Sequence, residues 1–201
     1  MPKLPLPLEA QDLLSKAVLG FIQPPTTAMS AFLAAWQVKS YQKNEFLTRE
    51  GEVERYFYYI MEGVQRLFFL KADGNEHVLG FSYEGNFSGV ADSYLGQKKS
   101  NLYLQALTPT RALVIDFPAM NRLFDEHKCW ERWGRLFFTQ ILIGRGQREI
   151  EMLTLSAEER FQLFVKRQPA ILQQVPQKHL ASYLGMTPET FSRLRRKLMK
   201  D

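Results

Sequence analysis

The stretch Gln177-Lys-His-Leu-Ala-Ser-Tyr-Leu-Gly-Met-Thr-Pro-Glu-Thr-Phe-Ser-Arg-Leu-Arg-Arg-Lys-Leu198 reads as two short helices around a tight turn. Leu180, Ala181 and Leu184 give the first helix an apolar face. Gly185 can take a positive φ without steric cost, so it ends that helix and opens the turn. Thr187 suits the N-cap of the second helix, and Pro188 suits its first position, where no N–H is needed. Phe191, Leu194 and Leu198 then fall on one face, and Glu189, Thr190, Arg193, Arg196 and Lys197 on the other. This is the layout of a helix-turn-helix that offers its second helix to the major groove of double-stranded DNA.

The charge distribution supports that reading. From Ser156 to Asp201 there are nine Lys or Arg against four Asp or Glu, and before Ser156 there are seventeen of each. The whole net charge of +5 therefore lies in the C-terminal module. Positive charge confined to one small module is an electrostatic footprint for phosphates, whereas general surface basicity is not.

Going outward, Ser156-Ala-Glu-Glu159 has capping-box spacing and opens a helix over Ala157–Lys166. Before it, Trp130, Trp133, Phe137, Ile141 and Gly144 recur at spacings of three or four. Leu136, Phe138, Leu142 and Ile143 add apolar residues on other faces. A helix apolar on more than one face needs more than one partner, and a second copy of the chain is an expected one. Gly144-Arg145-Gly146 interrupts the pattern, and a hinge is expected at 153–155.

From Gln37 to Phe117 the period changes to short Val-, Ile-, Phe- and Tyr-rich runs. Glycines at 51, 63, 74, 85 and 96 recur every 11 or 12 residues, which suggests an all-β sandwich or barrel. Ala72-Asp73-Gly74-Asn75 predicts a hairpin between Val64–Leu70 and Glu76–Phe81. Asn101–Leu107 and Arg111–Phe117 are expected to form a last pair. Upstream, 12–22 and a piece capped by Thr26 or Thr27 and running to Trp36 read as helices separated by Pro24-Pro25.

Several classes are disfavoured by the composition. The single cysteine, Cys129, excludes a disulfide framework and a Cys-based cluster within one chain. The Pro-rich first residues hold no signal-peptide core and no stretch approaches a membrane span, so a cytoplasmic protein without membrane contact is expected. The three histidines, His77, His127 and His179, share no metal-ligand spacing, and no nucleophile–base arrangement stands out, so neither an enzyme nor a metal site is expected.

The run Ala181-Ser-Tyr-Leu-Gly-Met-Thr-Pro-Glu-Thr-Phe-Ser-Arg-Leu194 resembles the recognition segment of the Crp/Fnr family of bacterial transcription regulators. Tyr41–Gly51, Tyr58–Gly63 and Leu113–Asp116 are similar to pieces of that family's cyclic-nucleotide-binding jelly roll. The resemblance covers nearly the whole chain. It implies an α+β protein with a β-roll domain over 1–128, a dimerisation helix and hinge over 129–153, and a helix-turn-helix domain over 154–201. It implies a homodimer that binds DNA and meets RNA polymerase, with the 130–144 helix as the dimer seam. It assigns base reading to Glu189 and Arg193, with a third basic position at Arg196. The family's first basic reader falls on Pro188, so the operator differs. Gln177, Lys178, Thr187, Thr190, Ser192, Arg196 and Lys197 are expected at phosphates. The chain ends three residues past Leu198, and the β-hairpin wing of many relatives is expected to be missing.

The same resemblance implies an effector pocket in the roll, where a Glu holds the ribose and an Arg the phosphate of a cyclic nucleotide. Those positions fall near Gly89 and on Ser100, and neither required residue type is present. Without an arginine fork for the phosphate, tight cAMP binding is not expected. Arg66, Ser88, Ser100 and Asn101, with Phe68, Leu79 and Phe87 as walls, either close an apolar roll or line a site for another small molecule. Some relatives use haem, for which His77 or Cys129 could serve as an axial ligand. A ligand-binding module without DNA function is the remaining alternative, and the localised charge opposes it.

Overall fold

The computed structural model describes residues 5–198. Two helices, α1 (Leu8–Leu19) and α2 (Thr26–Ala35), precede eight strands. These are β1 (Gln37–Tyr41), β2 (Phe46–Thr48), β3 (Tyr56–Glu62), β4 (Val64–Leu70), β5 (Glu76–Tyr83), β6 (Phe87–Ser88), β7 (Tyr103–Ala106) and β8 (Thr110–Asp116). A short helix, α3 (Ala91–Gly96), sits between β6 and β7. Then come α4 (Phe117–Glu126), α5 (Lys128–Thr154), α6 (Ala157–Arg167), α7 (Ile171–Gln174), α8 (Gln177–Tyr183) and α9 (Pro188–Leu198).

The strands form two four-stranded sheets, ordered β1-β8-β3-β6 and β2-β7-β4-β5. The chain changes sheet at tight corners, which is the double-stranded roll expected from the sequence. Gly63 makes one such corner at φ +94, where an added Cβ would lie 2.4 Å from the Pro109 carbonyl oxygen. The regular glycine spacing marks real turns at four of five positions: Gly51, Gly63, Gly74 and Gly85 all have positive φ. Gly96 instead ends α3, and Gln97 after it takes the left-handed conformation. The hairpin over Ala72–Asn75 forms as predicted, but β7 and β8 do not pair. Three residues separate them, and they cross to opposite sheets: β8 pairs with β1 and β3, and β7 with β2. Turn composition marks where a strand ends, not which sheet receives the next one.

Inside the roll, Tyr58, Ile60, Val90, Leu104, Ala112 and Val114 form a buried cluster. Alternate β3 residues face the other way. Phe57 meets Phe87, Trp133 and Phe137 at ring-centroid distances of 5.3, 6.5 and 5.5 Å. Phe32 stacks on Trp130 at 4.2 Å in the same aromatic layer, between helices and sheet. α2 starts directly after Pro25, with neither Thr26 nor Thr27 acting as a side-chain cap. α4 is capped by Asp116, whose carboxylate accepts from the Ala119 N–H at 2.8 Å.

α5 runs unbroken through Gly144-Arg145-Gly146, so those glycines do not interrupt it. Trp130, Trp133 and Phe137, in the helix that the resemblance makes the dimer seam, are turned into the chain's own aromatic layer and are fully or nearly fully buried. The exposed face of α5 is a different one, with Leu142, Ile143, Ile150 and Leu153 at 71%, 58%, 56% and 79% exposure. Aromatic bulk recurring every three or four residues signals burial, and here the burial is intramolecular.

The chain divides into two compact units. One comprises 1–67 and 81–140, and the other comprises 68–80 and 141–201. The second unit thus groups the tip of the β4–β5 hairpin with the C-terminal helices.

Candidate nucleic-acid interface

The helical module is built as its sequence dictates. Phe161, Phe164, Ile171, Val175, Leu180, Ala181, Leu184, Phe191 and Leu194 form its buried apolar core, and Phe161 meets Phe191 edge-to-face at 5.4 Å. Leu198, assigned to that core by its spacing, is 45% exposed. Ser156 and Glu159 make both bonds of a capping box at the start of α6. At the turn, the Met186 N–H donates to the Ala181 carbonyl and the Gly185 N–H to the Ser182 carbonyl, with Gly185 at φ +64. That pair of bonds is a Schellman stop. Thr187 caps α9 by accepting from the Thr190 N–H at 3.3 Å.

Two arginines that the sequence does not single out fix this turn. The Arg160 guanidinium donates to the Leu184 carbonyl at 2.9 Å, to the Gly185 carbonyl at 3.4 Å and to the Leu155 carbonyl. It supplies the partners that the end of α8 lacks. Arg148 donates to the Tyr183 carbonyl and lies 3.6 Å from the centre of the Tyr183 ring. Burial lowers the pKa of Arg148, partly opposed by Tyr183 and Glu151. In sequence both look like two more surface cations. Their partners lie 24 and 35 residues away, and only folding brings them close.

The hairpin tip adds a further contact within this unit. The Ser182 hydroxyl accepts from the Val78 N–H at 3.0 Å and donates to the Glu76 carbonyl at 3.2 Å. The His179 ring is buried, 3.8 Å from the Glu76 carboxylate.

The outer face of α9 presents Pro188, Glu189, Arg193, Arg196 and Lys197, all exposed, with Thr187 at its start and Thr190 and Ser192 half-buried beside them. Gln177 and Lys178 are exposed at the start of α8. Glu189 is held below the usual carboxylate range by its own backbone N–H and the Thr187 hydroxyl. It is therefore an ionised acceptor. Lys197 is engaged with Glu158 at 2.6 Å, so a phosphate would have to compete for it. The face thus combines one acceptor with several fixed or mobile donors on a rigid helix.

The residues expected around an effector pocket are disposed otherwise. Arg66 is buried, and its Nε donates to the Gln105 side chain at 2.9 Å. The Ser88 hydroxyl donates to the Gln65 side chain at 2.7 Å. The Ser100 hydroxyl closes on its own loop, donating to the Leu102 carbonyl at 2.9 Å. Gly89 takes φ +139 against the β3 backbone. Phe87 is not a wall of the roll interior, because it belongs to the outer aromatic layer with Trp36, Phe57 and Trp133. Asn101 and Leu79 are exposed, and Phe68 is buried.

A residue the sequence reading missed sits at the centre instead. Glu54 is completely buried and accepts from the Tyr58 hydroxyl at 3.1 Å, the Tyr56 N–H at 3.3 Å and the Val90 N–H at 3.2 Å. Its own N–H donates to the Ser93 hydroxyl at 2.9 Å. Burial raises its pKa, and those hydrogen bonds oppose the rise. Among the described residues no group of three or more His, Cys, Asp or Glu could hold a metal ion, and no helix is long and apolar enough to cross a membrane. His77 is half-buried 5.1 Å from the Phe69 ring, and Cys129 is a half-buried thiol.

Comparison with known proteins agrees with this architecture. Residues 38–127 match the cyclic nucleotide-binding domain. The nitrogen fixation regulation protein FixK of Bradyrhizobium diazoefficiens is 24% identical over 169 residues, covering 79% of this chain and 70% of that protein. The structure of FixK2 from Bradyrhizobium japonicum superposes with a TM-score of 0.70 at 20% identity, over 82% of this chain and 85% of that one. CLP of Xanthomonas campestris, a c-di-GMP-responsive global regulator, gives 0.64 at 19% identity over 88% and 93% of the two chains. The Thermus thermophilus catabolite activator protein gives 0.57 at 19% identity over 92% and 87%.

Proposed function

We propose that this chain is a transcription regulator of the Crp/Fnr type and that it binds a near-palindromic site in double-stranded DNA as a homodimer. α9 is the reading helix, with Glu189 and Arg193 at base edges. Gln177, Lys178, Thr187, Thr190, Ser192, Arg196 and Lys197 lie toward the phosphates. The observation that carries this reading is the exposed, basic outer face of a helix whose inner face is locked by Phe191, whose start is capped by Thr187 and whose preceding turn is held by Arg160. At a promoter its further partner would be RNA polymerase.

Dimerisation rests on the exposed face of α5. Ile143, Gly146, Ile150 and Leu153 follow one another at intervals of three, four and three residues, a coiled-coil seam. Three of the four are large apolar side chains exposed to solvent in the single chain. The glycine allows two backbones to approach.

The roll does not take cAMP in this reading. Glu54 places a carboxylate against the Val90 N–H, in the segment where the family's phosphate-binding residues would stand. A second anion there would meet it in a low-dielectric interior. Arg66 is already committed to Gln105.

The test is a selection of genomic DNA fragments by the purified chain, followed by anisotropy titrations on the selected site. Arg193→Ala and Glu189→Ala are each expected to lose about 5- to 150-fold in affinity for that site, the equivalent of about 1–3 kcal/mol per base contact. Arg196→Ala is expected to weaken all sequences alike and to reduce the salt slope by about one. Unchanged binding by Arg193→Ala would remove α9 as the reading helix. For the dimer, Ile150→Glu with Leu153→Glu should give a monomer in sedimentation equilibrium, and a persisting dimer would place the seam elsewhere.

A further inference from the structure

A cleft of about 610 Å³ opens at the mouth of the roll, apart from the buried Arg66–Gln105 and Ser88–Gln65 pairs. Lys39, Tyr41, Leu47, Arg55, Tyr56 and Tyr58 line it, all within the roll unit. Its size is within the range of small-molecule sites, roughly 300–1,000 Å³. We propose that this cleft binds a planar aromatic acid.

Three features specify the ligand. First, the walls are rings. Tyr41 and Tyr56 both stand edge-on to Tyr58, at centroid distances of 6.2 and 6.3 Å, and both are half-buried, so part of each ring faces the cleft. Tyr58 is pinned from behind by its hydrogen bond to Glu54, so the floor is rigid. Aromatic surfaces fixed at right angles hold a flat ring better than a flexible chain, because the ligand meets faces and edges already in place.

Second, the cleft carries cations that make no ion pair among the described residues. The Lys39 ammonium lies 3.9 Å from the centre of the Tyr56 ring, and Arg55 is exposed at the rim. Neither pairs with a carboxylate among the described residues. A cation parked on a ring face is one to which a carboxylate can be added at small desolvation cost. The carboxylate on the lining, Glu52, accepts from the Arg49 N–H at 3.0 Å and so closes its own turn.

Third, the geometry sets where the charge goes. The Tyr58 hydroxyl at the floor is already committed to Glu54, so a carboxylate finds its cations at the mouth, near Lys39. A single carboxylate on a flat ring meets both conditions, with the ring inward and the charge at the rim.

The experiment is isothermal titration of the full-length chain with three probes: 2-naphthoate, 2-naphthol and decanoate. The naphthoate is expected to bind at least about ten-fold more tightly than either probe lacking the charge or the ring. Lys39→Met and Tyr56→Leu should each weaken naphthoate by about five- to ten-fold, and Arg55→Gln, at an exposed position, by about three-fold. Arg193→Ala should leave naphthoate binding unchanged, which keeps this result separate from that of the DNA reading. The proposal is overturned if the three probes bind alike, if naphthoate shows no saturable binding below about 5 mM, or if Lys39→Met and Arg55→Gln both bind it like the parent chain.

Discussion

Arg160 is expected to decide whether the reading helix is held in place. Its guanidinium donates to three carbonyls, of which the contacts to Leu184 and Leu155 are close and that to Gly185 is long. A hydrogen bond from a charged donor is worth about 1.5–3 kcal/mol. Two good ones, discounted because the side chain is only half-buried and water can replace part of each, give about 2–4 kcal/mol for Arg160→Ala. The loss should be local, since the carbonyls concerned close the end of α8 and the link from α5 into α6. Amide hydrogen exchange resolves it. Protection of the amides of α8 and of the first turn of α9 should fall by about 30- to 900-fold, the equivalent of that energy, while β3 and β8 remain as protected as before. Arg160→Lys should recover only part, because an ammonium cannot address three carbonyls in one plane. DNA affinity should fall in Arg160→Ala with no change in salt slope, unlike the phosphate-contact variants. If protection at Leu184–Phe191 changes by less than about two-fold, well under 1 kcal/mol, the turn is held by its Schellman bonds alone and the reasoning fails.

Two glycine substitutions separate conformation from space. Gly51→Ala, at φ +83 with nothing within 4 Å of an added Cβ, should cost about 1–2 kcal/mol. Gly63→Ala adds a 2.4 Å clash with the Pro109 carbonyl oxygen and should cost more than about 3 kcal/mol in urea unfolding followed by Trp fluorescence; equal costs would mean the corner yields freely. Glu54 should make stability depend on pH in the direction opposite to a surface carboxylate. Its folded-state pKa is raised, so the folded chain keeps a proton that the unfolded chain releases above about 4.3, and stability should fall as pH rises from there to the folded value. Glu54→Gln should flatten that part of the profile, and an unchanged slope would assign it to other groups.

The parts of the fold that are legible in the sequence are those decided within a few residues. Ser156 and Glu159 form their capping box, Gly185 stops α8, Thr187 caps α9, and Asp73-Gly74 turns the hairpin, because each signal is a local steric or hydrogen-bonding rule. What is not legible depends on partners far along the chain. The spacing of Trp130, Trp133 and Phe137 shows that a face is buried but not by what, and only the fold shows that it packs within the chain. Alternation along β6 does not show that Phe87 points away from the roll interior. Arg160 carries no local mark at all, since any helix of this composition has an arginine near its start. A glycine stop that leaves helix carbonyls to be satisfied, with an arginine directly after a capping box, is the signal that could have found it.

Glu54 shows the same limit and explains the chemistry of the roll. An interior without an effector must satisfy its own donors. The Tyr56 N–H, the Tyr58 hydroxyl and the Val90 N–H all converge on one carboxyl group, from β3 and the start of α3. Removing that group would orphan three donors, each costing about 1–3 kcal/mol when buried, which outweighs the expense of burying one carboxyl that can take up a proton. The Glu54 carboxyl group therefore supplies the acceptor that these three donors need. A roll filled in this way has its inner polar positions occupied by its own side chains. The proposed small-molecule site is the ring-lined cleft, where Lys39 and Arg55 are the cations available to a carboxylate.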